Sequence, residues 1–194
     1  MANLIDIDTY KISEGIQSTK DDSRINSLIT SVSALVKTYC GNSIVDFYSS
    51  NKVEEFTINW NTNLVQLTEI PLVSVVSVEE RDDYSASYTT VPATEYFADS
   101  LIDGIYRVST TGGEKHWPGG PASVKITYKA GYSTCPADLQ LAVIDLITYY
   151  LKNEHKARQT MQGASIQNIT SSSQRDNVAF PDHIKRVLDL YKNF

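Results

Sequence analysis

The stretch 124–153 constrains the fold most, because a strand, a sharp turn and a long apolar helix follow one another within it. Apolar and polar residues alternate at its start, which predicts a strand whose apolar face carries Val124, Ile126 and Tyr128. Gly131 permits the turn, and Pro136 stands just inside the predicted helix, with Ser133 or Thr134 available as the N-cap.

Apolar residues cover most sides of the predicted helix 137–154. They recur at spacings of three and four and then widen beyond one stripe: Leu139, Leu141, Ala142, Val143, Ile144, Leu146, Ile147, Tyr149, Tyr150 and Leu151. A helix of this kind needs partners on more than one face. Those partners are either the rest of its own chain or a neighbouring subunit, and the sequence leaves both open.

The composition is that of a soluble globular protein. The chain has 194 residues, 41% of them hydrophobic and 21% charged, which suits one domain with a core. No run approaches the roughly 18 apolar residues that a membrane span needs. The first residues lack the pattern of a secretion signal, so we expect the protein to stay where it is made. A net charge of −6 argues against ordinary DNA binding, but a wall that lets DNA slide past is expected to be acidic.

The periodicity predicts an α+β fold. A bundle of two long helices plus short N- and C-terminal helices carries an inserted antiparallel β-sandwich or barrel-like lobe. We predict one domain over 1–194, divided into N-terminal helices 1–46, a strand-rich insertion 47–128, a long core helix 129–156, a polar arm 157–179 and a C-terminal helix 180–194.

Further local features are predicted within these parts. A short helix or turn in 4–17 is anchored by Ile5, Tyr10 and Ile12. Helix 22–40 buries one stripe and ends at Gly41, and its other face is polar: Ser27, Thr30, Ser31, Ser33 and Lys37. Strands 53–60 and 64–67 form a hairpin across a turn at 61–63, and a second turn at 82–85 leads from strand 73–79 into 88–91.

No catalytic or metal-binding motif is present in the sequence. The histidines His116, His155 and His183 share no metal-binding spacing, and Cys40 and Cys135 are too far apart in sequence to define one. We expect both cysteines to be small buried or half-buried thiols. Acidic pairs such as those at 54–55, 79–80 and 82–83 are interpreted as solvated strand edges, because neighbours in a strand point to opposite faces.

Several local motifs resemble those of tailed-phage head-tail connector (adaptor) proteins. They are Y-C-G at 39–41, I-T-Y-K-A-G-Y at 126–132 and P-A-D-L-Q-L-A-V-I-D-L-I at 136–147. Tyr149, Tyr150 and Asn153 follow where the family has an aromatic-rich helix end. The chain departs from the family pattern where Glu154 and His155 replace a common arginine.

The resemblance implies a structural virion protein rather than an enzyme. Members of this family form a ring, expected to be twelve-fold, beneath the portal protein and above a stopper or tail-completion protein, with double-stranded DNA passing through without sequence-specific binding. No cofactor and no metal are implied. We therefore expect the chain in the virion neck, in the host cytoplasm during assembly, and not at a membrane.

The contact residues are predicted from the same resemblance and from the apolar faces of the helices. The subunit interface is predicted on helices 22–40 and 137–154, at Leu28, Val32, Val36, Leu146, Ile147, Tyr149, Tyr150 and Asn153. Portal docking is predicted at Ile184, Val187, Leu188 and Tyr191. The last helix has two interpretations: it folds back onto its own domain, or it docks on another subunit with the polar arm as reach.

Two other functions remain open from the sequence. The strand-rich lobe is a carbohydrate- or protein-binding module if its aromatic residues Trp60, Tyr84, Tyr88 and Trp117 cluster on one exposed loop face. A small hydrolase built on His116 is the third hypothesis, and no motif supports it.

Overall fold

The structure is a computed structural model that describes residues 2–59, 61–152 and 180–192. Within these residues the chain forms four α-helices and seven strands in two antiparallel sheets, so the predicted α+β class is confirmed. Two compact units are present. The helical unit comprises 2–42, 134–152 and 180–192, and the strand unit lies within 43–133. The prediction that residues 1–194 form a single connector domain stays a prediction.

The helices of the helical unit begin and end close to the predicted positions. They are α1 (Ile7–Glu14), α2 (Asp22–Cys40), α3 (Ala137–Leu151) and α4 (Asp182–Asp189). Asp6 caps α1, because its side chain accepts a hydrogen bond of 2.6 Å from the Thr9 amide. Gly41 ends α2 as predicted, with a φ of 64° that favours glycine.

Some local predictions for this unit are wrong. Pro136 is the N-cap of α3 and no side chain caps the helix, so neither Ser133 nor Thr134 has the predicted role. Ile12 is 82% exposed and anchors nothing, whereas Tyr10 is fully buried. A helix of eight residues completes little more than two turns, so its apolar positions need not all reach the core.

Two residues assigned to the polar face of α2 are in fact buried. The Ser33 hydroxyl accepts a hydrogen bond of 3.1 Å from the Leu4 amide, and the Lys37 ammonium donates one of 2.8 Å to the Ala2 carbonyl. Both side chains therefore bind the backbone of the N-terminal segment, and Ser33 provides a partner for the amide of the buried Leu4.

Helix α3 is covered mainly by its own chain. Its buried residues are Leu139, Ala142, Val143, Ile144, Leu146 and Ile147, and they pack against α2 and α4. Leu141 is the exposed apolar residue of α3, with 60% of its surface accessible. Of the two possible partners that the sequence left open, the rest of the chain therefore provides most of the cover.

The strand unit contains a four-stranded and a three-stranded sheet. The strands are β1 (Lys52–Ile58), β2 (Leu64–Gln66), β3 (Leu72–Glu80), β4 (Thr89–Thr90), β5 (Tyr96–Asp99), β6 (Gly104–Arg107) and β7 (Gly120–Ala130). The sheet orders are β1-β7-β3-β4 and β2-β6-β5. Strand β7 is central and alternates as predicted, with its inward side chains buried and its outward ones half-exposed.

The predicted hairpin between strands 53–60 and 64–67 is wrong. Strand β1 pairs with β7, and β2 pairs with β6 in the other sheet. The predicted turn at 82–85 does connect β3 to β4, which pair through Glu79 and Glu80. The sequence between β1 and β2 carries turn residues, but a turn signal does not specify which strands pair across it.

The inner faces of the two sheets enclose one apolar core. Its buried members come from both sheets and from the loops beside them: Ile58, Val65, Leu67, Val78, Val91, Ile105, Trp117, Val124, Ile126, Tyr128 and Ala130. This is the packing of a β-sandwich. The barrel-like alternative is wrong, since the two sheets share no strand pairing within the described residues.

Candidate functional site

Half of the twelve predicted contact residues are buried inside the helical unit. They are Val32, Val36, Leu146, Ile147, Ile184 and Leu188. Each packs against helices of its own chain, and Ile184 also borders the cleft described below. The predicted contact roles of these six positions stay predictions, because an apolar face marks burial but does not say what buries it.

The other predicted contact residues are partly accessible. Leu28, Tyr149, Tyr150, Val187 and Tyr191 are all half-buried. The rings of Tyr149 and Tyr150 pack edge to face, with centroids 5.6 Å apart. A role for these residues in subunit or portal contacts stays a prediction, and Asn153 lies outside the described residues.

A cleft between α3 and α4 brings two of the predicted sets together. It is open to solvent, has a volume of about 250 Å³, and is lined on α3 by Asp145, Thr148, Tyr149 and Lys152. Its other wall is formed by Pro181, His183 and Ile184 at the start of α4. Tyr149 from the subunit-interface set and Ile184 from the docking set thus border one space, which makes this cleft our candidate functional site.

Two polar side chains approach each other at the rim of the cleft. The His183 ring nitrogen lies 4.0 Å from the Asp145 carboxylate, and both side chains are largely exposed. An ion pair this exposed contributes little to stability. Across the helix, the Tyr10 hydroxyl and the Thr148 hydroxyl lie 3.0 Å apart and fix the floor of the cleft to α1.

Side-chain hydrogen bonds hold α4 in place beside the cleft. The Tyr191 hydroxyl donates to Asp138 and the Tyr39 hydroxyl donates to Asp189, each at 2.6 Å. The hydrogen bond from Tyr191 lowers the pKa of the Asp138 carboxyl. Phe180 also packs edge to face on Tyr39, with centroids 5.1 Å apart. Of the two interpretations of the last helix, the structure therefore has α4 folded back onto its own unit.

The strand unit contains a buried ion-pair network that the sequence analysis missed. Arg107 is 1% exposed, and its guanidinium donates to both carboxylate oxygens of Glu80 at 2.8 and 2.9 Å. It also lies 2.9 Å from the Glu95 carboxylate and donates to the carbonyls of Glu95 and Val108. The hydrogen bond from Arg107 lowers the pKa of Glu95. This network ties β3 to β6, and no local signal distinguishes such an arginine from a surface one.

A second network corrects the interpretation of Glu54 as part of a solvated edge, whereas Asp82 and Asp83 are exposed as predicted. Glu54 accepts hydrogen bonds from the Tyr128 hydroxyl at 2.9 Å and from the Thr68 hydroxyl. Glu69 accepts from the Ser43 amide and hydroxyl at 2.8 and 2.6 Å. These carboxylates, like Glu80, are bound within the strand unit, and Glu55 alone of the 54–55 pair is exposed. Burial raises the pKa of the Tyr128 hydroxyl, which therefore stays a donor well above neutral pH.

The geometry that would favour a binding module is not present in the described residues. Trp117 is only 3% exposed and belongs to the sandwich core, whereas Tyr84 is exposed. Trp60 lies outside the described residues. His116 is exposed beside Trp117. Across 2–59, 61–152 and 180–192, no cluster of three metal-ligating side chains and no helix able to cross a bilayer was found.

Comparison with known proteins gives both a family and a set of similar folds. The family model described as head completion protein matches residues 3–194. One similar chain belongs to the neck of an empty GTA particle computed with C6 symmetry. Its TM-score is 0.61 and its identity 16%, and the match covers 98% of this chain and 90% of that one.

Two further solved structures have the same fold. A chain from the neck of a native GTA particle computed with C12 symmetry gives a TM-score of 0.56 at 16% identity, covering 100% of this chain and 94% of that one. A chain from the virion of a native gene transfer agent particle gives 0.55 at 18% identity, covering 91% and 80%. No curated protein sequence matches this chain. Because the family match spans residues 3–194, this protein belongs to the head completion protein family, and the predicted relation to head-tail connector proteins is confirmed.

Proposed function

We propose that this chain is a structural protein of the phage neck that forms a homo-oligomeric ring between the portal and a stopper or tail-completion protein. Double-stranded DNA passes through the centre of the ring during packaging and ejection. The protein has no catalytic role and needs no cofactor. It is incorporated into the virion after synthesis in the host cytoplasm.

The match to the head completion family over 3–194 carries this proposal. It is supported by the shared fold with chains from GTA particle necks, whose structures were computed with six-fold and twelve-fold symmetry. Such symmetry places identical copies around one axis in those particles, and we propose twelve copies here. A ring of this kind needs heterologous contacts, in which one surface of a copy meets a different surface of the next.

The distribution of charge supports a channel through which DNA slides without being held. Residues 43–133 contain twelve acidic and six basic residues, so this range carries the whole formal net charge of −6. Phosphate contacts from lysine and arginine dominate DNA affinity, and an acidic wall lacks them. Salt-dependent retention of DNA is therefore not expected from this chain.

We propose that the cleft between α3 and α4 is one contact site of the ring or of its portal. Tyr149 presents an aromatic ring and a hydroxyl at its edge, a combination that is enriched in protein interfaces. Leu28 and Tyr150 remain proposed subunit contacts, and Val187 and Tyr191 remain proposed portal contacts. Ile184 borders the cleft, and the other buried residues of the two sets support these contacts by holding the helices in position.

The proposal is tested by mixing the purified chain with its portal protein and measuring the mass of the complex by light scattering after size exclusion. Each copy weighs 21.6 kDa, so a ring adds a fixed multiple of that mass to the portal. Negative-stain images along the axis are expected to show closed rings of identical copies. A chain that stays monomeric beside the portal, and is absent from the necks of purified virions, contradicts the proposal.

A further inference from the structure

The three-stranded sheet has an apolar row on each face, and Gln66 and Asp99 lie beside the row on the outer face. Its inner face contributes Val65 and Ile105 to the sandwich core. The register places Leu64, Tyr106 and Phe97 side by side in one row of the opposite face. Phe97 is 57% exposed there. An antiparallel sheet with one face in the core normally presents polar residues on the other face. The apolar row on the outer face therefore indicates a surface that another molecule covers.

The turn that follows β5 extends the same apolar surface. Leu101 is 92% exposed and Ile102 is 38% exposed. The side chains of Ile102 and Leu64 approach Gly104 closely: a Cβ built there would lie 3.4 and 2.7 Å from their methyl groups. We call Leu64, Phe97, Leu101, Ile102 and Tyr106 the tip surface.

Hydrogen bonds fix the turn that carries Leu101. The Leu101 amide donates to the Asp99 carboxylate at 2.9 Å. The Leu67 amide donates to the Asp103 carbonyl at 3.0 Å, and the Leu72 amide to the Asp103 carboxylate at 2.6 Å. Asp103 is held at a φ of 50°, a conformation that non-glycine residues adopt at a cost. An exposed leucine on a turn held in this way loses little conformational freedom when a partner covers it.

The outer face of the four-stranded sheet carries a second apolar surface. Strand β3 has two bulges in its pairing with β7, and the extra residues are Val73 and Val76. Both are about half exposed, as is Val53 on β1. Val53 pairs with Thr127, which also pairs with Ser77, so the valines stand among small hydroxyl side chains. We call Val53, Val73 and Val76 the valine surface.

The bulges indicate how this second surface makes contact. Strand β4 pairs only with Glu79 and Glu80, so the first half of β3 has one edge without a partner strand among the described residues. Bulges on such an edge discourage the addition of another strand. A partner on the valine surface therefore meets side chains rather than the β3 backbone.

The two surfaces carry complementary charges. Residues 96–106, which include the tip surface apart from Leu64, contain two acidic residues, Asp99 and Asp103, and no lysine or arginine. Glu95 is not counted, because Arg107 and Lys115 pair with it. Lys129 lies beside Val73, since it pairs with Ser74 on the outward side of β7. The other outward lysine of β7, Lys125, is ion-paired with Glu79 and has Glu55 opposite it. Lys129 is thus the cation that the acidic tip would meet.

We infer that the tip surface of one copy of this chain docks on the valine surface of the next copy, around the ring proposed above. The outer faces of the two sheets of a sandwich point away from each other. One copy therefore contacts its neighbours on both sides through two different surfaces, which is the heterologous contact that a closed ring requires. This inference rests on the proposed ring and adds the residues that join its copies.

The test is a head-to-tail disulfide ladder. A chain carrying both Leu101→Cys and Val76→Cys is mixed with the portal protein, oxidised mildly and run on a non-reducing gel. If tip and valine surfaces meet, the double variant gives a ladder at multiples of 21.6 kDa. A mixture of the two single variants stops at dimers, because each copy then has only one reactive end.

The natural cysteines are not expected to form disulfides in this experiment. Cys40 and Cys135 are both buried. Burial raises the pKa of the Cys40 thiol to about 11 and that of Cys135 to about 12, so neither forms appreciable thiolate at neutral pH. The unmodified chain, treated with the same oxidant, is expected to remain a single band.

The outcomes separate this inference from the proposed function. A ring mass by light scattering together with a ladder supports both. A ring mass without a ladder overturns the tip-to-valine contact and leaves the proposed ring standing. A chain that gives neither a ring mass nor a ladder contradicts both.

A matched pair of charge substitutions provides a second measurement. Leu101→Lys places a charge in the proposed contact, whereas Ile12→Lys places one on the helical unit at an apolar residue of similar exposure. Both variants are expected to fold, since neither side chain is packed. We expect at least a tenfold loss of ring formation for Leu101→Lys and none for Ile12→Lys. Equal assembly of the two variants contradicts the inference.

Discussion

Replacing Ile147 with alanine tests how α3 is covered. Ile147 is fully buried in the helical unit, and the substitution removes three carbon atoms from its side chain. At about 0.8 kcal/mol for each buried CH₂ group, the lost transfer free energy is about 2.4 kcal/mol. The cavity left behind adds to this, which gives a loss of about 3 to 4 kcal/mol in the free energy of unfolding.

The matched control is Leu141→Ala on the same helix, where 60% of the leucine is exposed. We expect it to cost less than about 1 kcal/mol, because little apolar surface is buried there. Both variants are compared with the unmodified chain by urea unfolding, followed by circular dichroism at the helix band. With a slope of about 2 kcal/mol per molar urea, Ile147→Ala shifts the midpoint by about 1.5 to 2 M.

The comparison separates burial within one chain from burial between copies. A loss of helical stability that is independent of protein concentration shows that the chain itself covers Ile147. A midpoint that does not move at low concentration, or that moves equally in both variants, would refute the packing described for α3. The residue would then have to be covered by a second copy.

Other predictions address the strand unit and the thiols. Arg107→Met is expected to lower the free energy of unfolding by about 3 kcal/mol, because the Glu80 carboxylate loses both hydrogen bonds from the guanidinium. Adding Glu80→Gln should restore part of that loss in urea unfolding curves followed by tryptophan fluorescence. The pKa of Glu95 is lowered from 4.5 by Arg107, so its contribution is full above that pH and is lost as the pH falls through the lowered pKa. Acid unfolding of Glu95→Gln should therefore lack this part of the pH dependence, and an unchanged profile would contradict the ion pair. Cys40 and Cys135 should resist a thiol reagent at pH 8 and react fully in urea, and rapid labelling of the native chain would contradict their burial.

The helices could be predicted from the sequence because their signals are local. The apolar period of α2 and α3, Gly41 at the end of α2 and Pro181 before α4 all act within a few residues. The pairing of β1 was not predictable in the same way. Its partner β7 lies more than sixty residues further along the chain, and the short turn after β1 favoured a wrong hairpin.

The candidate site was predicted only in part, for a physical reason. Periodicity identified Leu146 and Ile147 as apolar-face residues, but it cannot distinguish cover by the same chain from cover by a second copy. For Phe97 and Leu101, the sequence does not indicate that these apolar residues are exposed. Each is an ordinary apolar residue in a strand-rich stretch, and its exposure follows from the register of β5 and β6, which the sequence does not state.

The neck of the assembled particle offers the most direct test of the account. Cryo-electron microscopy of purified virions, without imposed symmetry, should reveal this chain as a closed ring of identical copies around the DNA axis, next to the portal. Density for both units of the fold is expected in every copy of that ring. Finding the chain elsewhere in the particle, or as single copies with no ring, would contradict it.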